Sequence, residues 1–462
     1  MRYISTRGRA PAVSFTQAIL AGLAPDGGLY VPESYPDLSG HGRRFATKPF
    51  ADSAEAVLQS LSGVPDYAGT AHSAYREMYW PFAVTPLRQI RPGGWALELF
   101  HGPSLSFKDV AMQLIASLYD VALQQNNERL TVVCATSGDT GGAAVEALKS
   151  ADCIDLFVLL PRGRVSEVQR RFMTTSGADN VFALEVEGDF DACQALVKGL
   201  FADRDFSSSI HLSGVNSINW ARILAQSVYY QVAAHALSAP GPVDFCVPTG
   251  NFGDAFSGYV AKRMGAPIGR IGLAVNGNDI LARTLKTGRY ERAAASQATL
   301  SPAMDIQVAS NFERMVFEAL DRDGEEVARL YAQFAQSGGF DIPDQALARL
   351  REAFFADAVS DQDTIQAMRD MAEGPDPYLI CPHTGVAISA WRAAPPSEGA
   401  RVTLATAHPA KFPETVKEAT GVHPPLPPHC SDLFARPETI HPIANDLAAV
   451  QAFIRERSRA WQ

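Results

Sequence analysis

Residues 98–113 read ELFHGPSLSFKDVAMQ and join a predicted strand to a predicted helix. The preceding run WALELF has the apolar composition of a buried strand, and SFKDVAMQLIASLYDVALQQ has apolar residues at helical spacing. The helix is predicted to begin near Lys108, after a turn of small polar residues. Ligands of parallel α/β sheets bind beyond the carboxyl ends of the strands, so Lys108 is predicted to lie where such a site forms.

The same alternation of strand, turn and helix continues along the chain. Further predicted strands are RLTVVCA (129–135), DLFVLLP (155–161), FALEVEG (182–188), PVDFCVP (242–248), IGLAV (271–275), YLICP (378–382) and VTLATA (402–407). A helix is predicted behind the capping box of Ser166 and Gln169. Strands that alternate with helices predict parallel sheets covered by helices on both faces, which is an α/β fold.

The length of 462 residues predicts two or three domains. Residues 1–94 are expected to form a mainly helical N-terminal domain. Residues 95–240 are expected to form a small α/β domain that carries Lys108, and residues 241–462 a large α/β domain. The predicted fold class is therefore α/β, with two doubly wound sheet domains and a mainly helical N-terminal domain.

Composition excludes several classes of function. The net charge of −10 and the absence of a basic stripe argue against a nucleic-acid partner. No apolar run is long enough to span a membrane, and the N-terminus lacks the apolar core of a signal peptide. The six cysteines are scattered without a C-x-x-C motif, which favours buried thiols in the cytoplasm. The carboxylates and histidines show no metal-ligand spacing, so no metal is expected.

Two later junctions carry residues suited to binding anions. CVPTGNFGDAFSGYV (246–260) places a glycine-bearing turn before a helix, where backbone N–H groups can approach a phosphate: Gly250, Asn251, Phe252, Gly253 and Asp254. CATSGDTGG (134–142) places hydroxyls and amides at a strand end: Thr136, Ser137, Gly138, Asp139 and Thr140. The structural alternatives are a turn with Asn251 in a left-handed conformation and a capped helix start.

Other candidate residues have equally plain structural alternatives. In GVNSINWAR (214–222), Asn216, Ser217 and Arg222 could bind a phosphate, but a lone arginine is usually a surface ion-pair residue. In CPHTGVA (381–387), Thr384 could donate to a ring nitrogen, while His383, like His408, is interpreted as structural. The alternative for Lys108 is a solvated lysine that pairs with Asp109.

Together, one lysine at a helix start, a glycine-bearing phosphate turn and a hydroxyl on a short turn predict a pyridoxal phosphate site with Lys108 as the Schiff-base residue. Nucleotide sites are disfavoured because neither a P-loop nor G-x-G-x-x-G at a first strand–helix turn occurs, and a serine hydrolase is disfavoured because G-x-S-x-G is absent.

The chain resembles the threonine synthases of the bacterial and fungal type, which are fold-type II pyridoxal-phosphate enzymes with a tryptophan synthase β-like architecture. The resemblance runs nearly end to end, through YISTRG (3–8), GLAPDGGLYVPE (22–33), ELFHGPSLSFKD (98–109), TSGDTG (136–141), P-x-G-x-x-S-x-x-Q (161–169), NSINWAR (216–222), PTGNFGD (248–254), SNFER (310–314) and PHTGVA (382–387). TSGDTG and SFKD are typical of the wider superfamily, whereas the N-terminal block, GNFGD and SNFER are more specific.

The resemblance implies a role for each candidate residue. Lys108 is the catalytic, cofactor-linked lysine, and residues Gly250 to Asp254 bind the cofactor phosphate. Thr384 faces the ring nitrogen, and Asp139 lies near the cofactor hydroxyl, where other fold-type II enzymes carry Asn. The substrate-binding residues implied are Thr136, Ser137, Gly138, Thr140, Asn216, Ser217 and Arg222. The chain departs from the family at Cys381, where Asp is frequent.

The implied reaction is the conversion of O-phospho-L-homoserine and water to L-threonine and phosphate, a step of threonine biosynthesis. The alternatives are a related pyridoxal-phosphate phospholyase or dehydratase, and a catalytically silent paralogue that binds amino acids. The small-molecule substrate is the expected partner, and a monomer or homodimer the expected assembly.

Overall fold

The computed structural model of the chain describes residues 1–237 and 241–461. The strands are β1 (Arg2–Ser5), β2 (Val13–Ser14), β3 (Tyr30–Pro32), β4 (Leu87–Arg91), β5 (Gly94–Glu98), β6 (Leu130–Ala135), β7 (Ile154–Pro161), β8 (Val181–Val186), β9 (Leu212–Ser213), β10 (Val243–Pro248), β11 (Ile268–Val275), β12 (Arg289–Glu291), β13 (Gly339–Asp341), β14 (Phe354–Ala358), β15 (Arg401–Ala405) and β16 (His441–Ile443).

The helices are α1 (Phe15–Ala21), α2 (Gly42–Thr47), α3 (Phe50–Ser62), α4 (Thr70–Ala74), α5 (Lys108–Asn126), α6 (Asp139–Leu148), α7 (Glu167–Thr174), α8 (Phe190–Ala202), α9 (Arg204–Ser209), α10 (Trp220–Ala236), α11 (Gly253–Arg263), α12 (Ile280–Thr287), α13 (Phe312–Ala319), α14 (Gly324–Ser337), α15 (Asp344–Ala353), α16 (Asp361–Glu373), α17 (Pro382–Ala390), α18 (Pro413–Thr420) and α19 (Leu447–Arg457). No helix of the described ranges is long and apolar enough to cross a membrane.

Two sheets organise the molecule, and the predicted α/β class is confirmed. The larger has the order β14-β11-β10-β15-β5-β4, with all neighbouring pairs parallel except the edge pair of β4 and β5. The smaller has the order β16-β8-β7-β6-β9 and is parallel throughout. β7 is buried at every position, as the apolar run that predicted it requires.

The two sheets draw strands from both sides of the domain boundaries expected from sequence. β4 and β5 precede α5, yet they join the larger sheet through the pairing of β5 with β15. The last strand, β16, returns to pair with β8 in the smaller sheet. The boundary placed at residue 240 lies outside the described residues, and the division into three domains stays a prediction.

One predicted strand is wrong. Residues 378–382, YLICP, form no strand; they run unpaired from α16 into α17, which begins at Pro382. Their apolar side chains are buried all the same, because Tyr378 and Ile380 pack with Met368 and Val416 of the flanking helices. The apolar pattern therefore indicated burial correctly. The segment does not pair with β15, because β10 and β5 already occupy the two edges of that strand. The edge strand β14 of the larger sheet, which pairs with β11, was missed by the sequence patterns.

The N-terminal region combines α1 to α4 with a small antiparallel sheet of order β2-β1-β3. It is fastened to distant segments by buried polar groups. Thr6 donates to Glu313 Oε1 at 2.6 Å, and Arg7 forms an ion pair with the same carboxylate. The motifs YISTRG and SNFER, far apart in sequence, therefore meet in the folded chain.

Arg314 of the SNFER segment is fully buried and connects three parts of the structure. Its guanidinium donates to the carbonyl of Tyr30 at 3.0 Å, to the carbonyl of Ile218 at 2.7 Å and to the side chain of Asn311. It thus ties β3 to the turn before α10, which carries Arg222. Burial lowers its pKa to about 9, so several hydrogen bonds are needed to hold the charge.

We expect Arg314→Met to lower the free energy of unfolding by about 3 kcal/mol, because buried carbonyls would lose their donors. Chemical denaturation followed by circular dichroism measures this change. Arg329→Met, at an arginine that is 60% exposed and pairs with Glu326 on the same helix, is the matched control and should change stability by less than about 0.5 kcal/mol. Equal losses of unfolding free energy in Arg314→Met and Arg329→Met would contradict the role of Arg314 as a buried connection between segments.

Candidate active site

The carboxyl ends of four parallel strands converge on one cavity of about 480 Å³. The segments that follow β5, β6, β10 and β15 all contribute to its lining. Of the residues predicted from sequence, those that line it are Lys108, Asp139, Thr140, Asn216, Ser217, Arg222, Gly250, Asn251, Phe252, Gly253 and Asp254. Chain segments separated by more than a hundred residues are therefore brought to one site, as the strand-end argument predicts.

Lys108 is the first residue of α5 and is largely buried. Its amine lies 3.6 Å from Asp139 Oδ2. Burial lowers the pKa of Lys108 to about 8, because desolvation outweighs the stabilising charge of Asp139. A lysine with such a pKa provides a substantial fraction of neutral, nucleophilic amine near physiological pH.

The alternative pairing of Lys108 with Asp109 does not occur. The Asp109 carboxylate instead accepts from the backbone N–H and the hydroxyl of Ser104, and from the backbone N–H of Ser106. It thereby fastens the turn in which Leu105 adopts a left-handed backbone with φ of 62°. The turn also bonds to the segment after β15, through Phe107 N–H and the carbonyl of Thr406. Asp109 thus fixes the position of Lys108 without neutralising it.

Asp139 is the charged centre of the site. It opens α6 and is 6% exposed, with Gln169 Nε2 and Lys411 Nζ each 2.9 Å from its Oδ1 atom. Burial alone would raise its pKa, but the ammonium groups of Lys411 and Lys108 hold that pKa well below its usual value. Asp139 therefore remains an anion at every physiological pH.

The glycine-bearing turn joins β10 to α11. Phe252 caps the helix in a left-handed conformation with φ of 63°, in place of the Asn251 that the structural alternative invoked. The turn is tightly covered, since a Cβ on Gly250 would lie 3.0 Å from the carbonyl oxygen of Ala303. The first N–H groups of a helix have no partner within the helix, which leaves those of α11 available to an anion.

The side chain of Asp254 turns to other partners. Its Oδ1 atom accepts from the hydroxyls of Tyr229 and Tyr230, and its Oδ2 atom is buried without a partner among the described residues. Burial raises the pKa of this carboxyl to about 6. A contribution of Asp254 to phosphate binding would therefore come from its backbone.

Arg222 is the least satisfied cation of the site. It is 4% exposed, yet within residues 1–237 and 241–461 its guanidinium makes no hydrogen bond and no ion pair. Burial lowers its pKa to about 10, so it still carries its charge at neutral pH. The surface ion-pair alternative is wrong, since the residue is buried and lines the cavity. A buried, unpaired guanidinium favours an anionic ligand.

Four predicted residues are not among those that line the cavity. They are Thr136, Ser137, Gly138 and Thr384. The Thr136 hydroxyl accepts from the N–H groups of Gly138 and Gly141, which supports the start of α6. Thr384 is buried, with its hydroxyl 3.2 Å from Cys381 Sγ. Their ligand-binding roles stay predictions.

His383 lines the cavity, although sequence reasoning interpreted it as structural. Its Nε2 atom accepts from the N–H of Ala303, and its Nδ1 atom is buried without a partner among the described residues. Burial lowers its pKa to about 4, so it is neutral. His408 does have a structural role, since its Nδ1 atom accepts from the N–H of Ala410.

Lys411 is the residue that the sequence analysis missed. It lies in ATAHPAKFP, just after β15, and is fully buried beside Asp139. A lysine placed between apolar and proline residues at the end of a predicted parallel strand was the signal that could have found it.

Comparisons with known proteins show the family to which this chain belongs. Residues 82–406 match the family described as pyridoxal-phosphate dependent enzyme, residues 2–65 the threonine synthase N terminus and residues 384–454 the threonine synthase C-terminal family. The chain is 46% identical to threonine synthase of Pseudomonas aeruginosa over 99% of this chain and 98% of that one. The chain belongs to the threonine synthase family.

Solved structures of the family have the same fold. A pyridoxal-phosphate-bound threonine synthase from Brucella melitensis superposes with a TM-score of 0.96, at 48% identity over 99% of this chain and 100% of that chain. Yeast threonine synthase superposes with a TM-score of 0.92, at 35% identity over 99% of this chain and 98% of that chain. The predicted fold-type II architecture and the pyridoxal phosphate cofactor are confirmed.

The residues of this site fit the cofactor of the family. A primary amine is required for covalent attachment of its aldehyde, and Lys108 provides one with a lowered pKa. A phosphate cradle is required for its anionic end, and the turn at Gly250 faces the same cavity. A side chain would be crowded at Gly250, as described above, and at Gly253, where a Cβ would lie 3.2 Å from Asn311 Nδ2.

The lowered pKa of Lys108 can be measured in the cofactor-free protein. We expect competitive acetylation, followed by peptide mass spectrometry, to give a midpoint near 8 for this amine, against the ordinary 10.5. Asp139→Asn should lower the midpoint further, because the carboxylate stabilises the ammonium form. A midpoint near 10.5, or a rise in the Asn variant, would contradict the geometry.

Proposed function

We propose that this protein converts O-phospho-L-homoserine and water to L-threonine and phosphate. The observation that carries the proposal is one cavity that contains an attachment lysine, a glycine-bearing anion turn and a second, separate cation that has no partner among the residues that the structure describes. A cofactor phosphate and a substrate phosphate need two anion sites, and Gly250 and Arg222 supply them. Lys198 on α8 also lines the cavity and adds positive charge in a chain whose net charge is −10.

Pyridoxal phosphate, when bound, supplies a conjugated ring that accepts electrons from the substrate. Lys108 would hold it covalently, and the turn from Gly250 to Asp254 would hold its phosphate. Asp139 presents an ionised carboxylate beside Lys108, and Thr384 is the residue assigned to the ring nitrogen.

Proton transfer is assigned to the Lys108 amine. With a pKa of about 8, Nζ can accept and pass on one proton at a time. Protons leave the substrate at Cα and then at Cβ, two are returned at Cγ and at Cα, and the proton of the added water goes to the departing phosphate. Asp139 Oδ2, at 3.6 Å, keeps the protonated amine within the site. Burial lowers the pKa of His383 to about 4, so it is a much weaker base than Lys108 and does not compete for these protons.

Departure of phosphate from Cγ is assigned to Arg222, with Asn216 and Ser217 beside it in the cavity. A guanidinium that carries its charge at neutral pH can pair with the developing phosphate dianion through two N–H groups. Its burial strengthens this interaction, because little water competes for the charge. Water adds at Cβ, and Cγ gains a proton and becomes the methyl group of threonine. The loop of Thr136 to Thr140 is assigned to the substrate carboxylate.

We place the protein in the cytoplasm as a monomer or homodimer. All six cysteines are free thiols and five are buried, which suits a reducing compartment. The proposed domains remain 1–94, 95–240 and 241–462, with the cavity between the last two, so that their closure would exclude water from the reaction.

Incubation with O-phospho-L-homoserine should release threonine and phosphate in equal amounts. Enzymatic phosphate detection and amino-acid chromatography on the same samples measure both. Lys108→Ala should abolish the release and also the borohydride-trapped cofactor adduct, because no other amine is assigned to attachment. Phosphate with an oxoacid and ammonia would instead indicate a phospholyase or dehydratase, and binding without turnover a silent amino-acid-binding protein.

Arg222→Met should lower kcat/KM for the phosphorylated substrate by about 100-fold or more, since a buried donor to the leaving phosphate is lost. The affinity for pyridoxal phosphate, followed by absorbance titration, should change by less than about 3-fold, because that phosphate is assigned to the Gly250 turn. The exposed-arginine variant Arg329→Met is the control. Equal losses in substrate and cofactor binding would place Arg222 at the cofactor instead.

A further inference from the structure

Lys411 is a fully buried lysine whose ammonium has two close partners. Its Nζ atom donates to the carbonyl of Ser104 at 2.8 Å and lies 2.9 Å from Asp139 Oδ1. The ring of Phe172 packs at 5.5 Å from the same atom. A buried ammonium is costly unless it is paired, and the Asp139 carboxylate is the anion that pairs with Lys411 here.

The contact joins elements of both sheets. Lys411 follows β15 of the larger sheet, whereas Asp139 opens α6 directly after β6 of the smaller one. Ser104 belongs to the turn before α5, so Lys411 also holds the segment that leads to Lys108. One side chain therefore connects the three segments that meet at the attachment lysine.

The two oxygens of Asp139 are divided between different partners. Oδ1 accepts from Gln169 and pairs with Lys411, whereas Oδ2 is the atom nearest Lys108, at 3.6 Å. With Oδ1 held from two sides, rotation of the carboxylate is restricted. Oδ2 is thereby kept facing the Lys108 amine.

We propose that Lys411 is a positioning residue of the active site, which fixes the Asp139 carboxylate across the two sheets and so sets the orientation and the protonation of Lys108. The inference rests on the proposed function only in taking Lys108 as the attachment lysine. Lys411 does not line the cavity and touches neither cofactor nor substrate in this assignment.

The charges around Lys108 determine the direction of the effect. The other cations near it are Arg222 and Lys411, the carboxylate beside it is Asp139, and the titratable His383 is neutral. Asp109 and Asp254 are buried carboxyls in the surrounding turns. Without Lys411, Asp139 would have Lys108 as its remaining ammonium partner, so the protonated form of Lys108 would be favoured.

The first test measures the Lys108 amine in the cofactor-free protein, independently of activity. In Lys411→Met the acetylation midpoint should rise by about 1 unit from its wild-type value near 8. Lys411→Arg keeps the charge and should stay within about 0.3 unit. Lys262→Met is the matched control. The Lys262 ammonium also donates to a backbone carbonyl, that of Gly269 at a distance of 2.6 Å, but it lies outside the site. An unchanged midpoint in Lys411→Met, equal to that of Lys262→Met, overturns the proposal.

The second test asks whether Lys411 acts through Asp139. Lys411→Met should lower kcat/KM by about 10-fold or more in the wild-type background, and by less than about 2-fold when Asp139→Asn is already present. An equal loss of kcat/KM on Lys411→Met in both backgrounds overturns the proposal. If the single variant does not fold, the comparison of Asp139→Asn with the double variant still decides, because removal of both charges leaves neither member of the Lys411–Asp139 pair as an unpaired buried ion. A kcat/KM of the double variant within about 2-fold of that of Asp139→Asn supports the proposal. A further 10-fold loss of kcat/KM in the double variant overturns it.

Failure of this inference can be told apart from failure of the proposed function. If wild-type protein shows no borohydride-trapped adduct on Lys108, the proposed role of Lys108 is wrong. If the adduct and threonine formation are present and the Lys411 variants behave like Lys262→Met, only the role of Lys411 is wrong.

Discussion

The cost of burying charge governs this active site. Three cations, Lys108, Arg222 and Lys411, lie in a region from which water is largely excluded, and the ionised carboxylate among them is Asp139. Desolvation alone would neutralise the lysines and protonate the carboxyl. The mutual arrangement of these groups instead keeps Asp139 charged, and through Asp139 it limits the fall of the Lys108 pKa to about 8. Arg222 keeps its charge although it has no hydrogen-bond or ion-pair partner among the described residues.

The fold makes this arrangement possible because parallel sheets gather their strand ends at one edge. The turns after β5, β6, β10 and β15 contribute, in that order, the Lys108 amine, the Asp139 carboxylate, the glycine-bearing turn at Gly250 and the Lys411 ammonium. None of these turns would hold its geometry alone. Asp109 fastens the turn before Lys108, and Arg314 fastens the turn before Arg222 to the N-terminal sheet. Asp109 of ELFHGPSLSFKD and Arg314 of SNFER therefore make contacts that position the site.

Sequence patterns predicted much of this, and the errors have physical causes. The start of α5 at Lys108 and the Ser166 cap of α7 were predicted from local signals, and both are present. YLICP was assigned to a strand because apolar runs report burial, and helices can bury a segment as well as a sheet can. β4 and β5 were not assigned to the sheet that they complete, because strand partners are long-range and leave no local trace.

By itself the sequence determined which chemical groups are present and at which strand ends they lie, since periodicity and turn residues are local properties of the chain. It therefore predicted Lys108 and the turn at Gly250 as members of one site, and the family resemblance added Arg222. Only the tertiary structure decided which charges touch. It separated Lys108 from its neighbour Asp109 and paired it with Asp139, and it brought Lys411 to the same carboxylate. Pairing of buried charges depends on distances between segments remote in sequence, and a one-dimensional pattern does not contain those distances.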